Sequence, residues 1–184
     1  TVDAGTVTIN GIETVTVNST GKTTTTENSI TLRDADAKSL VITGDKTIAL
    51  TLGDGTTKFG TANVNPGDGK GVATIDASAS TAGIKITTLA NTGIAENGIT
   101  IKGGAGKDDI NLAGASSDKI IVNAGAGDDK ITVNAKGGIL TGGAGKDTFD
   151  VSAAKVVGTT TPPDTTEAAG IVKVTITDLT AGDK

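Results

Sequence analysis

The chain has no cysteine, histidine, methionine, tryptophan or tyrosine, and its only aromatic residues are two phenylalanines among 184 residues. Those absences exclude most catalytic chemistry. Without histidine or cysteine there is no thiol nucleophile, no imidazole relay, no Ser-His-Asp triad and no thiolate or imidazole zinc site. Carboxylate-only glycosidase chemistry is the enzymatic option left, and the expectation is that the chain is not an enzyme. The metal ligands that remain are hard oxygens: carboxylates, hydroxyls and backbone carbonyls, which suit calcium or magnesium. Net charge is −5, with no basic stripe and no stacking aromatics, so nucleic acid is not an expected partner. No apolar run approaches the ~20 residues needed to span a bilayer, which argues against membrane insertion, and the N-terminus carries no signal-peptide pattern. A lack of cysteine fits a reduced cytoplasm and a cysteine-free secreted chain alike.

What is present is threonine, glycine and 35% hydrophobic residues, which is not a disordered composition. A core of small β-branched residues without large aromatics implies thin repeated layers. Short apolar runs recur throughout: TVTIN from Thr6, IETVTVN from Ile12, SITL from Ser29, SLVIT from Ser39, TIALTL from Thr47, VATID from Val72, IKITT from Ile84, ITIK from Ile99 and IVKVTIT from Ile171. Each is bounded by Gly, Asn, Asp or Ser and reads as a strand. No segment sustains a 3.6-residue period, so very little helix is expected. DASASTAG from Asp76 is the nearest helical candidate and reads as a turn. One central apolar residue per run gives Leu32, Val41, Leu50, Val64, Ile75, Ile86, Ile101, Ile110, Ile120, Ile131, Leu140 and Phe149, with steps of 9, 9, 14, 11, 11, 15, 9, 10, 11, 9 and 9. Strands every 8–12 residues also occur in sandwiches. The recurrent step of nine, with the motifs below, predicts an all-β, right-handed parallel β-solenoid (a β-helix or β-roll) whose ~18-residue coils each supply two strands.

The motifs are GGAGKDDIN from Gly103, AGAGDDKIT from Ala124 and GGAGKDTFD from Gly142. The first and third match every defined position of the calcium-binding nonapeptide G-G-x-G-x-D-x-U-x, and the second departs only at its first residue. Glycines permit a tight turn and leave carbonyls open, the aspartate supplies a carboxylate, and the apolar eighth residue starts a strand. Two such turns stacked one sheet spacing apart (~4.8 Å) can surround one ion. With repeats starting at 94, 103, 113, 124, 133 and 142, the good motifs share one edge. The poor ones (IAENGITIK, AGASSDKII and VNAKGGILT) share the other. This predicts two calcium sites, between turns 103 and 124 and between turns 124 and 142. Asp108, Asp129 and Asp147 are the carboxylate ligands. The backbone pool is Gly103, Gly104, Ala105, Gly106, Ala124, Gly125, Ala126, Gly127, Gly142, Gly143 and Gly145. Asp129, in the middle turn, should touch both sites. Asp109 and Asp128 read as solvated or outer groups, and Asp118 as a doubtful ligand. Asp34, Asp36, Asp54 and Asp68 read as solvated turn residues. The alternative is a calcium-free solenoid in which Gly-Asp turns only make corners, and it must accept the repulsion of three aligned aspartates.

TGKTT at Gly21 fails as a phosphate loop because Thr16 stands where a glycine is needed. DADAKS is not an EF-hand, because Ser39 holds its glycine position.

On these nonapeptides the chain resembles the RTX family of bacterial secreted proteins. GIETVTV from Gly11, SITLRDADAKSLVITGDKTIALTL from Ser29, TIDASAS from Thr74, ITIKGGAGKDDI from Ile99, GGAGKDTFDV from Gly142 and VTITDLTAGDK from Val174 resemble the lattice region of Caulobacter-type RTX surface-layer proteins. That resemblance implies type I secretion without a cleaved leader, a place on the bacterial cell surface, and calcium-dependent self-assembly into a two-dimensional lattice. Attachment to a cell-surface polysaccharide would run through another part of a longer chain. The expected organisation is a Thr-rich β region over 1–93, a calcium-binding β-roll over 94–151, and a loop with a terminal strand over 152–184, forming one continuous domain of a longer protein. An RTX adhesin, and the RTX region of a secreted protease or toxin, are the competing readings.

Overall fold

The computed structural model describes residues 2–9, 11–21, 27–33, 37–52, 73–88, 98–115, 119–154 and 173–184. Val64, Asp34, Asp36, Asp54, Asp68 and Asp118 lie outside them. Among the described residues there are fourteen strands and no helix. They are β1 (Val2–Thr8), β2 (Thr14–Ser19), β3 (Asn28–Arg33), β4 (Ser39–Gly44), β5 (Ile48–Leu52), β6 (Ala73–Ser80) and β7 (Ile84–Thr88). The second half holds β8 (Ile99–Lys102), β9 (Asp109–Asn111), β10 (Ile120–Ala126), β11 (Lys130–Thr132), β12 (Gly137–Ala144), β13 (Thr148–Asp150) and β14 (Lys173–Ile176).

Successive strands alternate between two parallel seven-stranded sheets. One runs β1-β3-β5-β7-β9-β11-β13 and the other β14-β12-β10-β8-β6-β4-β2. Every even-to-odd connection therefore leaves the same edge, and the turns at 103, 124 and 142 are all of that kind, as the spacing predicts. Parallel sheets of this type bury one face per strand, so inward residues alternate with outward ones.

The inward residues stack in register. In the odd sheet, Ile30, Leu50, Ile86, Ile110, Ile131 and Phe149 are consecutive partners. In the even sheet the corresponding row is Leu40, Ile75, Ile101, Val122, Leu140 and Ile176. Most are fully buried, and Phe149 keeps 8% exposure. Each buried Leu or Ile contributes roughly 1.5–3 kcal/mol against the unfolded chain, so the core is a column of small layers.

The central residue of the SLVIT run is not an inward one: Leu40 and Ile42 are buried, while Val41 lies half-buried on the outer face. In a continuous apolar run only the pairing register decides which residues turn inward. DASAS is not a turn, because β6 continues through it to Ser80. The strand absorbs one extra residue, with Val41 opposite Asp76 but Thr43 opposite Ala79. Asp76 Oδ1 accepts the Ser78 backbone N–H (3.1 Å) and hydroxyl (2.5 Å), which holds that bulge.

Candidate metal centre

The three motif aspartates form a staircase along the shared edge. Asp108, Asp129 and Asp147 are 0%, 1% and 2% exposed, although carboxylates are seldom buried without partners. Each carboxylate accepts a backbone N–H from the coil before it. Ile84 donates to Asp108 Oδ1 (2.8 Å), Asp108 to Asp129 Oδ1 (2.7 Å), and Asp129 to Asp147 Oδ1 (3.0 Å). Asp108 and Asp129 each link the coils on both sides of them.

The glycines fit this stacking sterically. A Cβ at Gly143 would lie 1.9 Å from the Gly125 carbonyl oxygen, and one at Gly145 would lie 1.8 Å from that of Gly127. Both residues also hold positive φ, 104° and 138°, so the carbonyl of one turn occupies the space above the next turn's α-carbon. Among the expected backbone ligands, the Gly104 carbonyl accepts the Ala126 N–H, and Gly127 donates its N–H to the carbonyl of Ala144, a residue outside that pool. Ala105, exposed, donates its N–H to the Ser80 carbonyl at 3.1 Å.

Electrostatics set the three carboxyls apart from ordinary surface aspartates. Burial pushes Asp108 up to about 7, against the pull of the Ile84 and Gly104 N–H groups, and the charge of Asp129 adds to the rise. Burial also pushes Asp129 up to about 6, opposed by the Asp108 N–H and reinforced by Asp147 and Asp128. Asp147 is raised by burial and by the charges of Asp183, Asp178 and Asp128. Partly desolvated like charges disfavour ionisation.

One atom stands out. Asp129 Oδ2 is buried and has no hydrogen-bond partner, a costly state for a carboxylate oxygen. The middle turn is also the one with alanine at the first motif position. A Cβ at the equivalent Gly103 or Gly142 would lie 2.1 Å from Asp108 Oδ2 or Asp147 Oδ2, so the Ala124 methyl denies Asp129 the placement the other two adopt. Among the described residues no three acidic side chains converge as a metal cluster. A hard cation held here would take one or two carboxylates, with backbone carbonyls completing the shell. The donor set fits calcium chemically.

Comparison of the chain with protein-family models, with curated proteins and with solved structures finds no match in any of the three.

The staircase is longer than the motifs indicate. Asp147 donates its N–H to Asp183 Oδ1 at 2.9 Å, so the degenerate DLTAGDK segment adds a fourth step. In the same segment Asp178 accepts the Gly142 N–H (3.0 Å) and the Gly143 N–H (2.6 Å). The signal was present in sequence: Asp183 keeps the sixth motif position, but Asp178, Leu179 and Ala181 stand at the three glycine positions. Asp128 is exposed and accepts the Lys146 N–H at 2.9 Å, while Asp109 is half-buried; both lie off the staircase. A cavity of about 260 Å³ near the other end is lined by Val17, Ser19, Asn28, Ile30 and Ile48 among others, with no titratable side chain.

Proposed function

We propose that the chain is a calcium-binding segment of a bacterial surface-layer protein, a right-handed parallel β-solenoid whose turns bind calcium and support calcium-dependent self-assembly. Two alternating parallel sheets support the solenoid, and the strong right-handed preference of parallel crossovers supports the hand. The observation that carries the calcium reading is the buried, partnerless Asp129 Oδ2 within a column of aspartates whose carboxyls are all raised. Asp108, Asp129 and Asp147, with carbonyls of the motif turns, would hold the ion. Bound calcium would supply the positive charge that lets the column ionise at neutral pH. Assembly follows from multivalency, since a lattice repeats one weak calcium-dependent contact many times.

A second reading has its own support. Each staircase Oδ1 is already used by a backbone N–H, which is what a metal-free column of corner-making aspartates would show.

The test is a calcium titration followed by circular dichroism and light scattering together, with magnesium as control and electron microscopy of the product. Sheets that form in calcium but not in magnesium or chelator support the proposal. Calcium binding without assembly moves the weight to the adhesin reading, and no calcium binding favours the metal-free column.

A further inference from the structure

The hexapeptide GGAGKD occurs twice, at 103–108 and at 142–147, and the two copies have different backbones. At 142–147 the second and fourth residues, Gly143 and Gly145, lie at φ 104° and 138°, nearly matching Gly125 and Gly127 of the middle turn at 107° and 140°. Gly104 and Gly106, at the same places in the first copy, are not among the positive-φ glycines. Identical sequence in two conformations means that the surroundings select the state, and both states are open to these six residues.

The hydrogen bonds show what differs. In the turn at 142 the Gly143 N–H goes to Asp178 of the next coil (2.6 Å). In the turn at 103 the equivalent Gly104 N–H turns back onto its own Asp108, donating to Oδ2 at 3.0 Å. With Ile84 on Oδ1, both oxygens of Asp108 are taken. Asp129, one coil on, has its Oδ2 without a partner. The two carboxylates that would share an ion between turns 103 and 124 are thus in opposite conditions, one closed on itself and one open.

We propose that turn 103–108 is a latched cation site. The Gly104 N–H holds Asp108 Oδ2 in the cation-free state, and divalent-cation binding between turns 103 and 124 releases it as Gly104 and Gly106 take the conformation already present at Gly143 and Gly145. This inference rests on the calcium reading above. It makes the two sites unequal: the site between turns 124 and 142 is built in advance, while the other must first break a charge-assisted hydrogen bond. Breaking such a bond separates the two midpoints by about tenfold.

The test uses the full chain labelled with ¹⁵N-glycine, titrated with calcium chloride and, separately, magnesium chloride, with NMR and calorimetry in parallel. The expected result is two binding steps. Gly143 and Gly145 resonances settle in the first. Gly104 and Gly106 shift in the second, where the Gly104 amide also loses its hydrogen-exchange protection. Asp108→Asn should remove the second step and keep the first. Calcium binding in a single class of sites, or a Gly104 amide still protected at saturation, overturns the latch and leaves the calcium reading intact. No calcium binding at all overturns both.

Discussion

Two stretches of one column differ in residue type. At the register position where the C-terminal coils carry Asp108, Asp129 and Asp147, the two coils immediately before them carry Ile48 and Ile84, and the coil before those carries Asn28. Ile48 pairs with Ile84, and Asp108, Asp129 and Asp147 each precede residues paired in the same ladder. The isoleucines are buried at 3% and 0% and stack as ordinary core. The backbone therefore accepts an apolar side chain at this corner, and aspartate is not required to make the turn. Three consecutive carboxylates in a place that isoleucine fills well are a cost to the bare fold, which the proposed cation would offset.

The largest expected effect concerns what the halves share. Ile86 and Ile131 belong to the same inward row, one in each half, and both are 0% exposed. Ile86→Ala and Ile131→Ala should each cost about 2–5 kcal/mol in chelator. Solenoid stability is nearly a sum of local terms, so added calcium should offset the loss at Ile131 and not at Ile86, read by hydrogen exchange in each half. Equal rescue of both would show that the halves unfold as one unit and would sink the idea of a local effect.

The next effect separates two kinds of glycine. Gly5, in β1 of the N-terminal half, has φ 67° with no atom within 4 Å of a Cβ position. Gly145 combines φ 138° with a Cβ position 1.8 Å from a stacked carbonyl. Gly5→Ala should cost only the left-handed strain, ~1–2 kcal/mol. Gly145→Ala adds a backbone collision and should cost about 3 kcal/mol or more. Thermal unfolding of the pair measures it, and similar losses would mean the turns do not stack as described.

How much of this was legible in the sequence follows from where the information sits. The alternation of apolar and polar residues around Ile110, Ile131 and Phe149 fixes an inward face with no knowledge of partners, and those three do share a row. SLVIT has no alternation to read, so its sequence does not say that Val41 faces outward between the buried Leu40 and Ile42. The good-and-poor alternation of the nonapeptides located the shared edge because the motif is written in contiguous residues. The isoleucines at 48 and 84 were invisible as members of the aspartate column, since a search for aspartate passes over the coils that lack it. Asp183 was missed for a related reason: its coil keeps the carboxylate but not the glycines that advertise it. The different backbones of the two GGAGKD copies lie beyond any sequence reading, because the sequences are identical.

The pH response sharpens the comparison, with a moderate effect. Asp108 and Asp129 have folded-state values of about 7 and about 6 against an ordinary value of 3.8. Raised carboxyls contribute stability that is fully present below 3.8 and lost as pH rises through about 6 and then about 7. Asp76, Asp150 and Asp183, held low by side-chain or backbone hydrogen bonds, act in the opposite sense: their contribution is present above 3.8 and lost in stronger acid. In chelator the C-terminal coils should therefore be most stable near pH 4 and should lose stability from there up to about pH 7. Calcium favours the ionised column and should remove that decline. Melting at pH 5 and pH 8, with and without calcium, checks this, and greater stability at pH 8 in chelator would contradict it. The coils containing Ile48 and Ile84 have no carboxyl at this position to titrate.

The smallest effect compares two adjacent aspartates. Asp128 is exposed and accepts only the Lys146 N–H among its described hydrogen bonds, while Asp129 is buried in the column. Asp128→Ala leaves the Lys146 N–H to water and should cost about 0.5–1.5 kcal/mol, with calcium binding unchanged. Asp129→Ala removes the acceptor of the Asp108 N–H together with the carboxylate adjoining both sites, so it should abolish more calcium binding than Asp108→Ala or Asp147→Ala. Calorimetric stoichiometry on the four variants orders them directly. Equal calcium loss from Asp128→Ala and Asp129→Ala would mean that net charge at the turn edge, rather than the buried column, attracts the ion. The distinction between the aspartate and isoleucine halves would then be one of surface charge alone.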